Sequence, residues 1–189
     1  MSASSSSRYT HQVSSGSVVY RDAVVADGPG IARVWVAAWQ AAYAGLMPGA
    51  YLNSLDTSRA VPAFERSLQQ NLSAILVEVD GEIVGFAAYG ASRDPDAASS
   101  VGEVIAINLA PSVWRRGLGR ELLRLTLQRL EVNGFREATL WVLHGNANAM
   151  AFYEALGWQR DGIEKRDDKL TGFTLHEVRY RMVLTPTRG

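Results

Sequence analysis

The sequence predicts an α/β domain built on a sheet that mixes parallel and antiparallel strands. Three observations carry that expectation. Two apolar runs, 74–79 and 83–89, flank Asp80-Gly81, a strong short-range hairpin signal. A β-branched run at 103–109 is then followed by a helical stretch, a second apolar run at 138–143 and another short helical stretch, the alternation that goes with parallel pairing. A last run at 177–184 closes the order, and late strands of this kind add antiparallel pairs.

Residues 1–17 contain eight serines and no apolar run, too little buried surface to offset ordering entropy, and are expected to be disordered. They lack a secretory apolar core, and no later stretch reaches the roughly 18 apolar residues of a membrane span. Residues 18–189 are the expected domain, opening with a strand at 18–21. Asp27-Gly28-Pro29 reads as a helix start, with Asp capping and Pro inside the first turn. Ile31, Val34, Trp35, Ala38, Trp39 and Ala42 follow at helical spacing, Gly45 and Pro48 break the helix, and 58–70 is helical again. Residues 93–100 are a polar loop. The helix expected over 117–133 has Leu118, Leu122, Leu125 and Val132 in one sector, extended by Leu123 and Leu130. Arg120, Glu121, Arg124, Gln128 and Glu131 lie in another, and Gly134 suits a left-handed C′ position. The helix over 147–156 ends at Gly157.

Composition removes several function classes. With 47% apolar and 20% charged residues over 189 positions, the chain is an ordinary globular one that needs no staples to bury a core. A formal net charge of zero gives no global field for nucleic acid or acidic membranes. The absence of cysteine excludes disulfides, thiolate nucleophiles and cysteine-ligated zinc. His11, His144 and His176 show no metal-like spacing, so no metal is expected. The default expectation is a soluble cytoplasmic protein that binds neither nucleic acid nor membrane.

The segment Trp114-Arg115-Arg116-Gly117-Leu118-Gly119-Arg120 follows a buried strand and opens a helix. Such a start presents unpaired N–H groups and the positive end of the helix dipole, a natural cradle for phosphate. Glycine lets the backbone approach a ligand, and the forked donors of Arg115, Arg116 and Arg120 suit phosphate oxygens. Leu122 stands where the dinucleotide fingerprint needs a third small residue, and no Gly-Lys-Ser/Thr is present.

Downstream, the apolar run that ends at Leu143 leads into Asn146-Ala147-Asn148-Ala149-Met150-Ala151-Phe152-Tyr153-Glu154, then Gly157-Trp158. This pattern resembles the second coenzyme A motif of the GCN5-related N-acetyltransferases (GNAT). The segment from Pro111 to Leu123 is similar to their first, except that Trp114 stands at the usual Gln/Arg position. Trp39-Gln40-Ala41-Ala42-Tyr43-Ala44-Gly45 is typical of one branch. The resemblance implies a GNAT-type mixed sheet, splayed open beside the 103–109 strand and flanked by helices, with acetyl-CoA in the V-shaped gap as co-substrate. It implies that N–H groups from Arg116 through Arg120 hold the pyrophosphate, including those of Gly117, Leu118 and Gly119, with Arg115 alongside. It further implies that the pantetheine arm pairs with backbone near Ile107 and Leu109 and bonds Asn146, and that the Tyr153 hydroxyl protonates the departing thiolate. Tyr43, Leu46 and Met47 would wall the acceptor site. The acceptor would be a small-molecule or peptide amine, and dimers are common in the family.

Acyl transfer to an amine requires loss of an ammonium proton, stabilisation of an oxyanion, and a proton for the thiolate. Tyr153 suits the last role, and N–H groups near Leu109 the second. Glu103 is the candidate base. In a regular strand its side chain shares a face with Ile105, Ile107 and Leu109. Asn146 also stands where a helix N-cap belongs. Asp94 and Asp96 could attract a cation or simply be solvated, and His144 reads as a loop or strand-end residue. The expected activity is direct transfer in a ternary complex, since no Cys offers an acyl-enzyme route. The alternative is a catalytically silent acyl-CoA-binding or regulatory module.

Overall fold

The computed structural model describes residues 8–13, 16–168 and 171–184. Their strands are β1 (Arg8–Val13), β2 (Gly16–Asp22), β3 (Ser73–Val79), β4 (Glu82–Ala91), β5 (Val101–Leu109), β6 (Glu137–Leu143), β7 (Gln159–Asp167) and β8 (Leu175–Val183). They form one sheet in the order β1-β2-β3-β4-β5-β6-β8-β7. Every neighbouring pair is antiparallel except β5–β6, which is parallel, so the mixed α/β class read from the sequence is the class observed. The β3–β4 turn follows from Asp80 and Gly81, whose φ values of 52° and 81° match a two-residue hairpin loop.

The helices are α1 (Gly28–Ala42), α2 (Gly49–Ser54), α3 (Thr57–Gln69), α4 (Leu118–Val132) and α5 (Ala147–Glu154). Helix α1, with Phe64 and Leu68 of α3, covers one face, where Ile31 and Val34 pack on Leu76 and Phe86. The other face carries the larger core, in which Leu118, Leu122, Leu123, Leu125 and Leu130 of α4 meet Val77, Ala87, Val104 and Leu140. Full burial of one such leucine is worth about 1.5–3 kcal/mol, so the α4 stripe alone fixes the helix to the sheet. Val132 departs from the expected stripe. It lies at the last turn, beyond the edge of the core, and is 76% exposed. Asp27 stands at the N-cap of α1 without capping it, because its carboxylate accepts from Arg21 and from the Val24 N–H instead.

Strand β1 lies within the stretch expected to be disordered. It pairs with β2 through the backbone, from Arg8 opposite Arg21 to Val13 opposite Gly16, and that ladder needs no apolar run. Residues 1–7 of the expected tail lie outside the described residues. Among the described residues, no helix is long and apolar enough to cross a membrane.

Candidate active site

The site begins where β5 and β6 part. They pair only over Val101–Glu103 and Glu137–Thr139, after which β5 continues on β4 alone and β6 on β8 alone. A bulge sharpens the separation. Ala88 faces Ala106 and Tyr89 faces Val104, so Ile105 has no partner residue on β4. Beyond the bulge the Ala110 N–H donates to Val84 O at 2.8 Å. By strand alternation Ala106 and Asn108 also turn their backbone groups toward β4, and those of Ile107 and Leu109 point into the gap.

The bulge also changes which side chains share a face. A Cβ on Gly102 would meet Leu130 and Phe135, and Val104 belongs to the α4 core, so Glu103 points to the opposite face. Ile107 and Leu109 pack against the α4 core, whereas Ala106 packs against the α1 cluster. Glu103 therefore does not share the face of Ile107 and Leu109 as regular alternation would have it. It is 2% exposed, and its oxygens accept from the Arg93 N–H, Nε and Nη2 at 3.0, 3.0 and 2.6 Å.

At the C-terminal end of β5 the chain makes the turn into α4. Gly117 has φ +82°, and a Cβ there would meet nothing within 4 Å, so this glycine faces open space. Gly119 differs, since its Cβ would lie 3.3 Å from Leu109 and 3.7 Å from Phe152, and its small size serves close packing. Among the described residues, the N–H groups of Arg115 to Gly119 bond no carbonyl, while the Arg120 N–H donates to Gly117 O at 3.1 Å. The expected cradle is thus one residue shorter at its far end. Arg115, Arg116 and Arg120 are exposed and form no ion pair with described residues. The Trp114 indole N–H donates to Leu109 O at 2.7 Å, so the residue that departs from the motif ties the turn to the end of β5.

Across the gap, Asn146 caps α5, its Oδ1 accepting from the Ala149 N–H at 3.1 Å. Its Nδ2 makes no bond with described residues, so cap and ligand roles are compatible. Tyr153 is 8% exposed, and its ring packs against Phe152, Trp158 and Tyr180. Its hydroxyl has no hydrogen-bond partner among the described residues. Burial, with a smaller contribution from Tyr43, pushes this phenol well above its ordinary value, so the proton stays on oxygen.

Residues 35–158 match the model of the acetyltransferase (GNAT) family, more than half of the chain. The chain belongs to this family. The uncharacterized N-acetyltransferase YuaI of Bacillus subtilis is 31% identical over 163 residues, covering 85% of this chain and 90% of that protein. A mycothiol acetyltransferase of Thermomonospora curvata is 31% identical over 113 residues, but these cover 60% of this chain and 35% of that longer protein. Among solved structures, the PaiA N-acetyltransferase of Thermoplasma acidophilum in complex with coenzyme A superposes with a TM-score of 0.68 at 18% identity, covering 88% of this chain and 98% of that one. YncA of Salmonella typhimurium with acetyl-CoA gives 0.64 at 19% identity, covering 91% and 96%. These structural likenesses establish that the acetyltransferase has the family's fold.

On the α1 face of the acetyltransferase, the expected acceptor wall is partly assembled. Met47 is buried with Leu52, Leu143 and Leu175, and Tyr43 and Trp39 pack against them. Tyr43 is pushed up to about 12 by burial and then by the Glu177 carboxylate. Leu46 is 41% exposed and lies close to Gly145, whose added Cβ would be 3.4 Å from it. Asp94 and Asp96 are engaged by Arg179, which is 2% exposed and also pairs with Asp161. His144 stacks on His176 at 4.7 Å, His176 pairs with Glu164, and no metal-holding cluster occurs among the described residues. Sequence reasoning missed Arg93, Trp141, Glu177 and Arg179 as a group. The signal was present in 177–181, where Glu177, Arg179 and Arg181 alternate with core Val178 and Tyr180 and so place charge on one sheet face.

Proposed function

We propose that this acetyltransferase moves the acetyl group of acetyl-CoA to an amine by direct transfer between two bound substrates. The observation that carries this reading is the gap itself. Unpaired backbone of Ile107 and the free N–H of Leu109 lie on one strand, with the open N–H groups of Arg116, Gly117, Leu118 and Gly119 at its end. The residues present fit the co-substrate. Gly117 leaves room for a pyrophosphate, Arg115, Arg116 and Arg120 supply unpaired cations, and Asn146 Nδ2 can donate to an amide of the arm. Acetyl-CoA supplies an activated acyl thioester when bound.

Transfer forms the amide C–N bond and breaks the C–S bond; the ammonium nitrogen gives up two protons, one to solvent and one that replaces the proton Tyr153 delivers to the thiolate. The Leu109 N–H, directed into the gap, is the donor for the developing oxyanion. Tyr153, held neutral by burial, is the acid for the thiolate. Glu103, the candidate base, is buried, and its carboxylate is taken up by three hydrogen bonds from the exposed Arg93. We assign it the structural role of holding Arg93 and the start of the 93–100 loop. Tyr43, Leu46 and Met47 form the acceptor wall.

Calorimetry with acetyl-CoA tests the reading. Binding should also raise the melting temperature, with about 2.7 kcal/mol added at a hundredfold excess over Kd. A flat titration overturns the assignment. Binding without turnover against a panel of alkyl and aryl amines favours the silent acyl-CoA module.

A further inference from the structure

On the face that carries α1, strands β6 and β8 place Trp141, Leu143, Glu177 and Arg179 side by side, since Trp141 pairs with Arg179 and Leu143 with Glu177. Lys165 of β7 pairs in turn with Glu177. Leu143 packs with Met47, Tyr43 and Trp39, so this row runs directly into the acceptor wall. The charge of Glu177 is the second cause, after burial, of the raised Tyr43 value, which fits a carboxylate lying close to that wall.

Other buried charges of this face are saturated. Arg179 holds Asp94, Asp96 and Asp161, and Glu103 accepts three hydrogen bonds from Arg93. Glu177 is different. Its side chain is 22% exposed, yet its one polar contact among the described residues is Lys165 Nζ at 3.3 Å. An ionised carboxylate has about four acceptor sites, so most of its capacity is unused. The same Lys165 Nζ lies 4.2 Å from the centroid of the Trp141 ring. An ammonium over an indole face and against a carboxylate is the pairing that recognises alkylammonium groups.

Lys165 is well suited to leave. It sits on the edge strand β7, its side chain is 37% exposed, and its long stem can turn into solvent. Trp141 would remain, its indole N–H fixed by Asp94 Oδ1 at 3.0 Å. We infer that Trp141 and Glu177 form the subsite for the ammonium group of the acceptor, which Lys165 fills at rest. The inference rests on the acetyltransferase reading only in calling the occupant an acceptor; the cage itself is a property of the three side chains.

The test titrates 1,5-diaminopentane into the protein saturated with coenzyme A, with 1,5-pentanediol as the uncharged control. Lys165→Ala should bind the diamine about tenfold more tightly than the unaltered protein, because the internal competitor is gone. Glu177→Gln placed on top of Lys165→Ala should reverse that gain, and the diol should bind none of the variants. Unaltered coenzyme A binding in each variant shows that the fold and the cofactor gap survive. No gain in Lys165→Ala, or an equal gain with Glu177→Gln added, overturns the cage while leaving the acetyltransferase reading standing. Failure of the unaltered protein to bind coenzyme A overturns that reading instead, and the diamine titration without coenzyme A then still decides the cage.

Discussion

The two sides of the gap are built on opposite principles. On the cofactor side, polar groups are left without partners: five successive N–H groups at 115–119 and three exposed arginines with no ion pair among the described residues. On the acceptor side, charges are bound to one another, with Arg93 on Glu103 and Arg179 on three aspartates. A group with no internal partner loses least when a ligand arrives, because nothing has to be broken first. Charge by itself therefore does not mark a binding site in this protein; an unmatched polar group does. On our proposed reading Glu103, which accepts three hydrogen bonds, is placed in the scaffold, and Glu177, held by Lys165 alone among the described residues, in the site.

The largest expected effect tests a buried hydroxyl with no partner among the described residues. Tyr153→Phe keeps the ring and its packing and should lower turnover by roughly 10²- to 10⁴-fold. Affinity for acetyl-CoA should change less than about tenfold, since one neutral hydrogen bond is worth ~1 kcal/mol. Unchanged turnover, with chemistry limiting and amine saturating, would return Tyr153 to the core. Gly117→Asp comes next. A Cβ there meets no atom within 4 Å, although φ +82° strains any side-chain-bearing residue by about 1–2 kcal/mol, and a carboxylate facing the cradle should weaken acetyl-CoA binding about a hundredfold by calorimetry.

Glu103→Gln sharpens the comparison from the other side. If the residue is scaffold, denaturant melts should show a loss of about 1–3 kcal/mol, and the acidic limb of the pH–rate profile should remain. Disappearance of that limb with stability intact would make Glu103 the base after all. A pH titration of stability follows from the buried phenols. Tyr20 and Tyr43 are both raised from 10.0 to about 12, chiefly by burial. The unfolded chain releases those protons near 10 and the folded one near 12. Their contribution is complete below pH 10 and should be lost between about 10 and 12, read by circular dichroism alongside phenolate absorbance. The smallest effect is expected for Arg124→Asp. It breaks the i,i+3 pair with Glu121 on the outer face of α4, costs about half a kcal/mol, and should leave acetyl-CoA binding unchanged.

How much of this was legible in the sequence depended on what kind of interaction shapes each region. The hairpin at Asp80-Gly81, the leucine stripe of α4 and the glycine turn are written in local residue types, and each appears where it was expected. Strands β1 and β7 were not legible, because edge strands form through backbone pairing and carry polar residues such as those of 159–167. Helix α2 was hidden by Gly45 and Pro48, which read as breakers, although Pro48 stands at the N-cap of a short helix. The bulge at Ile105 was the costliest omission. Nothing in 101–109 announces it, and it alone moves Glu103 off the face of Ile107 and Leu109.

The Trp114 side chain carries a further consequence. Its indole N–H occupies the carbonyl of Leu109, the last residue of β5. Any extended chain that adds to this strand from the open side finds a free carbonyl at Ile107, whereas that of Leu109 already accepts one hydrogen bond. Sliding outward by two residues would forfeit one hydrogen bond, about 1 kcal/mol, and shift the slid population roughly fivefold. The strand thus has an end-stop, and the tryptophan sets the length scale against which a ligand lying along β5 is measured.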